Sequence, residues 1–268
     1  MDSPYEGMAS MNWLTAIPVY NEERHLDGVL REVRRYSPNI LIVNDGSTDQ
    51  TGQILNRYMK GQAVAEFGSS TLRVLTHSSN RGYGAALISA FCYALTHPFD
   101  VLVTMDCDGQ HEPHRIGVLL EALDQGTDIV SGSRYLRDFH QDTAPPQDRQ
   151  EINRVITSEL NERFGLSLTD AFCGFKAYRV EALKRLDITE TGWGMPLQLW
   201  VQAARRGLRI KEVGVPRVYL DPHRAFGGVL DNPEERLAYY RRVIAETAQA
   251  EPAPRLVCSA GAWRGMCR

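Results

Sequence analysis

The chain lacks a long apolar run. Its longest nearly apolar stretch, residues 85–95 of 268, falls far short of the roughly 20 residues that cross a bilayer. A basic run is missing as well, and a formal net charge of -3 offers no footprint for nucleic acid. Cysteine is sparse: Cys92, Cys107, Cys173, Cys258 and Cys267 are odd in number and form no C-x-x-C pair. That argues against a disulfide framework and a zinc cluster, and fits a reducing compartment. No secretory signal opens the chain, because Asp2 and Glu6 precede any apolar run and the first basic residue is Arg24. There is no internal repeat. These absences predict a cytoplasmic protein, at most peripheral to a membrane.

What is present suffices to bury a core, with 43% hydrophobic and 24% charged residues. Residues 14–19 read as a strand broken at Pro18, and Leu26, Val29, Leu30 and Val33 carry helical spacing. A strand at 40–43 runs into Asn44-Asp45-Gly46-Ser47-Thr48-Asp49, a turn able to cap a helix reaching about Tyr58. A third strand, 72–75, precedes Asn80-Arg81-Gly82-Tyr83-Gly84, where the glycines allow a tight turn into a helix ending near Leu95. Strands at 101–105 and 128–131 flank a helix opened by Pro113. This alternation predicts an α/β fold, a mostly parallel sheet flanked by helices, with ligands bound beyond the strands' carboxyl ends. The polar clusters at 20–22, 45–49, 106–110 and 133–134 all fall at those ends.

Beyond 135 the pattern predicts a polar loop over 138–149, helices over 150–164 and 197–206, and strands over 174–178 and 210–215. Asn232-Pro233-Glu234-Glu235 has the order of a helix cap, and Leu237, Tyr240 and Ile244 share a face of the helix that follows. That face can dock on the core, pair with a second subunit in a homodimer or lie on a membrane, and docking is the commonest outcome. The expected organisation is a leader over 1–12, one domain over 13–250 and a tail over 251–268.

Asp106 and Asp108 stand at spacing i, i+2 after a buried strand, which points both carboxylates to one side of extended backbone. They repel unless positive charge lies between them. Mg²⁺ or Mn²⁺ suits such oxygens and often binds through one or two carboxylates plus substrate phosphates. The competing reading is a solvated Asp-Gly turn, and the polar clusters on the same edge favour the ion.

In order, Pro18-Val19-Tyr20-Asn21-Glu22, Val43-Asn44-Asp45-Gly46-Ser47-Thr48-Asp49, Asn80-Arg81-Gly82-Tyr83-Gly84, Asp106-x-Asp108-x-Gln110, Gly132-Ser133-Arg134-Tyr135 and Asp170-x-x-Cys173-Gly174-Phe175-Lys176 resemble the family 2 glycosyltransferases of GT-A fold. The likeness is greatest to the polyprenyl-phosphate mannosyltransferase branch. It implies a metal-dependent inverting transfer of a hexose from a nucleotide-diphospho-sugar of GDP-mannose or UDP-glucose type. The nucleotide-sugar half would be 13–135 and the acceptor half 136–250. Pro18, Tyr20 and Glu22 would border base and ribose, Asp45 would bond the base, and Arg81 and Arg134 would lie near phosphates. Asp106, Asp108 and Gln110 would hold Mg²⁺ or Mn²⁺ against the diphosphate, with His223 a further ligand. Asp108, Arg134 and Arg224 would act in transfer, the last from a loop at 221–228.

Two departures bear on the acceptor. Trp193-Gly194-Met195-Pro196-Leu197-Gln198 stands where that branch usually has acidic residues, and the 221–228 stretch lacks its usual Ser-Lys. A hydroxyl acceptor needs a general base, usually a carboxylate, whereas a phosphate acceptor is already anionic. A polyprenyl phosphate at a membrane surface is the expected acceptor. The alternatives are a soluble hydroxyl acceptor and a silent sugar-nucleotide sensor. A nucleotidyltransferase fits poorly, since Tyr20-Asn21-Glu22 occupies the place of its Gly-rich basic loop.

Overall fold

A computed structural model describes residues 11–61, 70–220 and 226–250. Seven strands, β1 (Trp13–Val19), β2 (Asn39–Asn44), β3 (Thr71–Thr76), β4 (Val101–Thr104), β5 (Ile129–Ser133), β6 (Lys176–Arg179) and β7 (Ile210–Gly214), form one sheet in the order β3-β2-β1-β4-β6-β5-β7. Neighbours run parallel except at β6, which is antiparallel to both β4 and β5. The central strands are covered on both faces, so they are apolar throughout rather than alternating with polar residues. Leu14, Ala16, Leu41 and Val43 face a core built with α3 (Tyr83–Thr96), α5 (Gln147–Phe164), α7 (Met195–Arg205) and α8 (Pro233–Gln249). Trp13, Ile17, Ile40 and Ile42 face the other core, under α1 (Leu26–Val33), α2 (Thr51–Met59) and α4 (Ile116–Ala122). The short α6 (Val180–Leu183) follows β6 directly.

Three details differ from the sequence reading. Pro18 does not break β1; it lies past the Trp13–Ala16 stretch paired with β4, so its missing N–H costs that ladder nothing. The last part of the expected loop over 138–149 is already helix, with α5 starting at Gln147 behind Pro146. The strand expected at 174–178 runs against its neighbours, a direction that periodicity cannot carry. Because it is antiparallel, β6 brings its start rather than its end to the carboxyl edge: Thr104 pairs with Lys176. The 170–174 segment thereby joins the site.

No helix among the described residues is long and apolar enough to cross a membrane. The helix behind Asn232 docks on the core, burying Tyr240, Val243 and Ile244 against α5 and α7. Asn232 caps it, its side chain accepting from the Glu234 and Glu235 N–H groups at 2.8 and 3.1 Å. Asn232→Ala should therefore cost about 1 kcal/mol in urea unfolding. An unchanged midpoint would show that packing alone holds α8.

Candidate active site

A cleft of about 740 Å³ opens at the carboxyl edge of the sheet. Pro18, Tyr20, Glu22, Asp45, Asp106, Asp108, Gln110 and Arg134 all line it. Arg81 does not: its side chain is exposed, and its backbone N–H donates to Asp45 Oδ1. His223 and Arg224 lie outside the described residues.

The loops after β1 and β2 are stitched together. Asn21, at a φ of 54°, accepts at its side-chain oxygen from Thr48 N–H and donates its own N–H to Ser47 Oγ. This holds the exposed Tyr20 ring beside the buried Asp45. Glu22 is buried, its carboxylate 2.9 Å from His25 Nδ1, and its carbonyl receives the N–H groups that start α1. Asn21 escaped the sequence reading, although an Asn is the side chain that most readily takes a left-handed turn.

Asp106 has fixed surroundings. Its Oδ1 accepts from Tyr83 Oη at 3.0 Å, and a Cβ on Gly174 would stand 2.7 Å from its Cγ, so only glycine leaves the carboxylate room. Burial and the Asp106 charge hold the Tyr83 phenol well above its ordinary range, so it remains a donor. Asp108 Oδ1 accepts from Gln110 N–H at 3.0 Å across a turn where Gly109 has a φ of 74°. Beside them His111 Nδ1 accepts from Asp106 N–H at 3.0 Å, a bond that selects the neutral ring. Burial likewise opposes charge on His111, while Cys173 and the carboxylates of Asp106 and Asp108 pull the ring the other way, toward protonation. Among the described residues no three His, Cys, Asp or Glu side chains form a metal cage. Two carboxylates and an amide in a cleft fit instead a hard cation that completes its shell with ligand phosphates and water.

Across the cleft the charge changes sign. The carboxylates lining it, Glu22, Glu23, Asp45, Asp49, Asp106 and Asp108, all come from the first 110 residues and outnumber the one arginine there, Arg24; Arg134, Arg149 and Arg236 line the remainder. Arg134 is clamped by Asp170, which is fully buried and accepts Nε at 2.7 Å and Nη2 at 2.9 Å. Asp170 also accepts from Asn153 Nδ2 and Phe172 N–H, tying α5 to the same corner. Burial alone would raise the Asp170 carboxyl, but Arg134 and the other donors hold it well below the ordinary carboxylate range. Phe226 carries Arg149 and Arg236 over its ring at 4.9 and 4.5 Å. Trp193 donates from Nε1 to the Phe226 carbonyl at 3.2 Å and stacks on Tyr83, with centroids 5.0 Å apart. Met195 is buried, and no acidic side chain takes its place in the cleft among the described residues. Arg149, Trp193 and Arg236 had no signal in the sequence beyond their residue type.

Asp170→Asn should lower unfolding stability by about 3 kcal/mol at pH 7, since it leaves a largely buried guanidinium unpaired. The Asp170 contribution is complete above its unfolded pKa and is lost as pH falls, because the unfolded carboxyl takes a proton first. Urea titrations should show the gap between parent and variant narrowing below about pH 4. A gap independent of pH would assign the loss to packing.

Comparison with known proteins agrees with this layout. The family model described as Glycosyl transferase family 2 matches residues 15–187. Polyprenol monophosphomannose synthase of Mycolicibacterium smegmatis is 31% identical over 212 residues, 75% of this chain and 76% of that protein. Undecaprenyl-phosphate mannosyltransferase of Micrococcus luteus is 34% identical over 210 residues, 76% of this chain and 83% of the relative. Glucosyl-3-phosphoglycerate synthase from Mycobacterium tuberculosis, solved with Mn²⁺, UDP and glucosyl-3-phosphoglycerate, superposes with a TM-score of 0.65 at 19% identity. That match covers 91% of this chain and 82% of the solved one, and it bears on the fold alone. The chain belongs to glycosyl transferase family 2 and is a glycosyltransferase of GT-A fold.

Proposed function

We propose that this glycosyltransferase moves a hexose from a nucleotide-diphospho-sugar to a polyprenyl phosphate, with inversion at the anomeric carbon. The observation that carries the reading is the distribution of charge over the cleft lining: its carboxylates among the described residues all come from the first 110 residues, where Arg24 is the one arginine, while Arg134, Arg149 and Arg236 come from the rest. In the donor half, 13–135, Pro18, Tyr20 and Glu22 border base and ribose, and Asp45 accepts from the base. Asp106, Asp108 and Gln110 would hold Mg²⁺ or Mn²⁺ on the diphosphate, where a divalent ion stabilises the leaving charge. Arg134, at the end of the donor half, and Arg149, in the acceptor half, 136–250, offset the acceptor phosphate's charge and aim one of its oxygens at C1. That oxygen forms the new bond as the bond from C1 to the diphosphate oxygen breaks on the opposite face. No proton has to be removed from such a nucleophile, which suits a cleft with no carboxylate lining it in the acceptor half among the described residues. Ile152, Phe172 and Tyr240 line the same end and offer apolar surface to the first isoprene units. The relatives from Mycolicibacterium smegmatis and Micrococcus luteus, named for polyprenol and undecaprenyl-phosphate mannosyl transfer, support this choice over a hydroxyl acceptor.

Transfer of labelled sugar to a short-chain polyprenyl phosphate tests the reading. Excess EDTA should abolish it reversibly, and Asp106→Asn or Asp108→Asn should lower kcat at least about 100-fold, roughly 3 kcal/mol. Arg149→Ala should raise KM for the lipid phosphate about tenfold while leaving KM for the donor unchanged. Full turnover in chelator, or a hydroxyl compound accepting the sugar better than the lipid phosphate does, would overturn the assignment.

A further inference from the structure

Asp45, His77 and Ser89 form a buried line. Asp45 Oδ1 lies 2.6 Å from His77 Nδ1, and His77 Nε2 lies 2.9 Å from Ser89 Oγ. The order is that of a Ser-His-Asp triad, but the chemistry is not. Ser89 sits on the buried side of α3, and neither it nor His77 lines the cleft. With no access for a substrate, the line can act only through Asp45, the member that does reach the cleft.

The bonds on Asp45 are specific. Oδ1 accepts from His77 Nδ1 and from Arg81 N–H at 2.9 Å, and Oδ2 accepts from Gly82 N–H at 2.8 Å. An ionised carboxylate offers about four acceptor sites, so three are filled and the one that remains belongs to Oδ2. The supporting loop is tight. His77 N–H donates to the Asn44 carbonyl at 2.9 Å, and a Cβ at Gly46 would stand 2.6 Å from Asn80 N. His77 Nδ1 faces an anionic acceptor and therefore carries its hydrogen in either charge state of the ring.

We propose that His77 is a positioning residue for recognition of the nucleotide base. By donating to Oδ1, it keeps Asp45 an acceptor and leaves one site on Oδ2 for the ligand. The base must then present an N–H at its edge, the imino group of uracil or guanine or the exocyclic amino group of cytosine or adenine. Ser89 fixes the ring from behind. This inference rests on the nucleotide-sugar reading and extends it to a residue outside the cleft.

Calorimetric binding of UDP, GDP and inorganic diphosphate, each with Mn²⁺, tests it, because inorganic diphosphate has no base. The parent should bind UDP or GDP more tightly than inorganic diphosphate. His77→Ala should weaken the preferred nucleotide at least about tenfold, the loss of one charge-assisted hydrogen bond, and leave inorganic diphosphate unchanged. His77→Asn places an amide N–H near the Nδ1 position and should bind the nucleotide like the parent. His77→Gln, which mimics the other ring nitrogen, should behave like His77→Ala. Should His77→Ala fail to fold, the Asn and Gln pair decides alone. Equal losses for nucleotide and inorganic diphosphate, or no rescue by Asn, would make His77 merely structural and overturn the proposal. Parent binding of UDP or GDP with no change in any variant would sink this inference alone. A parent that binds inorganic diphosphate but no nucleotide would remove the donor reading and this inference together.

Discussion

The buried ion pair between Arg134 and Asp170 is the joint on which one wall of the cleft depends. Asp170 has no exposure, and a lone carboxylate there would be untenable; with Arg134, Asn153 and the Phe172 N–H around it, its charge is met on every side. The pair links the end of β5, the first turns of α5 and the segment leading to β6. It also fixes where Gly174 lies, and Gly174 in turn leaves room for the Asp106 carboxylate. The reversed direction of β6 makes this possible, since it delivers the start of a strand to an edge otherwise built from strand ends.

The two halves of the cleft are coupled through rings rather than charges. Asp106 is held by Tyr83, Tyr83 stacks on Trp193, and Trp193 bonds the backbone of Phe226, whose ring lies under Arg149 and Arg236. The Trp193 stretch, which departs from the acidic pattern of the polyprenyl-phosphate branch, is thus the bridge between the carboxylate end and the arginine end. A buried Met195 and this aromatic bridge belong to one arrangement, and both suit the proposed acceptor, which brings its own negative charge.

Much of this was legible in the sequence. Doubly covered parallel strands are apolar throughout, so β1, β2 and β4 could be read from composition alone, and the polar clusters behind them had to share an edge. Pro18, Tyr20, Glu22, Asp45, Asp106, Asp108, Gln110 and Arg134 were named from motifs shared with the family 2 glycosyltransferases, and all eight line the cleft. Arg81 does not line the cleft, and what its motif contributes there is a backbone N–H to Asp45, which no residue type reveals. The antiparallel sense of β6 failed because alternation encodes burial and not direction. His77 and Arg149 were missed, and Asn21 and Trp193 were quoted only within their stretches with no role given, because all four act through long-range partners, and single residues separated by dozens of positions leave no local pattern.

The central claim is that the acceptor nucleophile is a phosphate oxygen met by arginines. The most direct measurement is the structure of the product formed from an α-linked nucleotide hexose and a polyprenyl phosphate, determined by NMR of the anomeric centre and its phosphorus coupling. The account predicts a β-linked glycosyl phosphate on the lipid with the nucleoside diphosphate released. A retained α linkage, or a sugar attached to a hydroxyl oxygen, would contradict it.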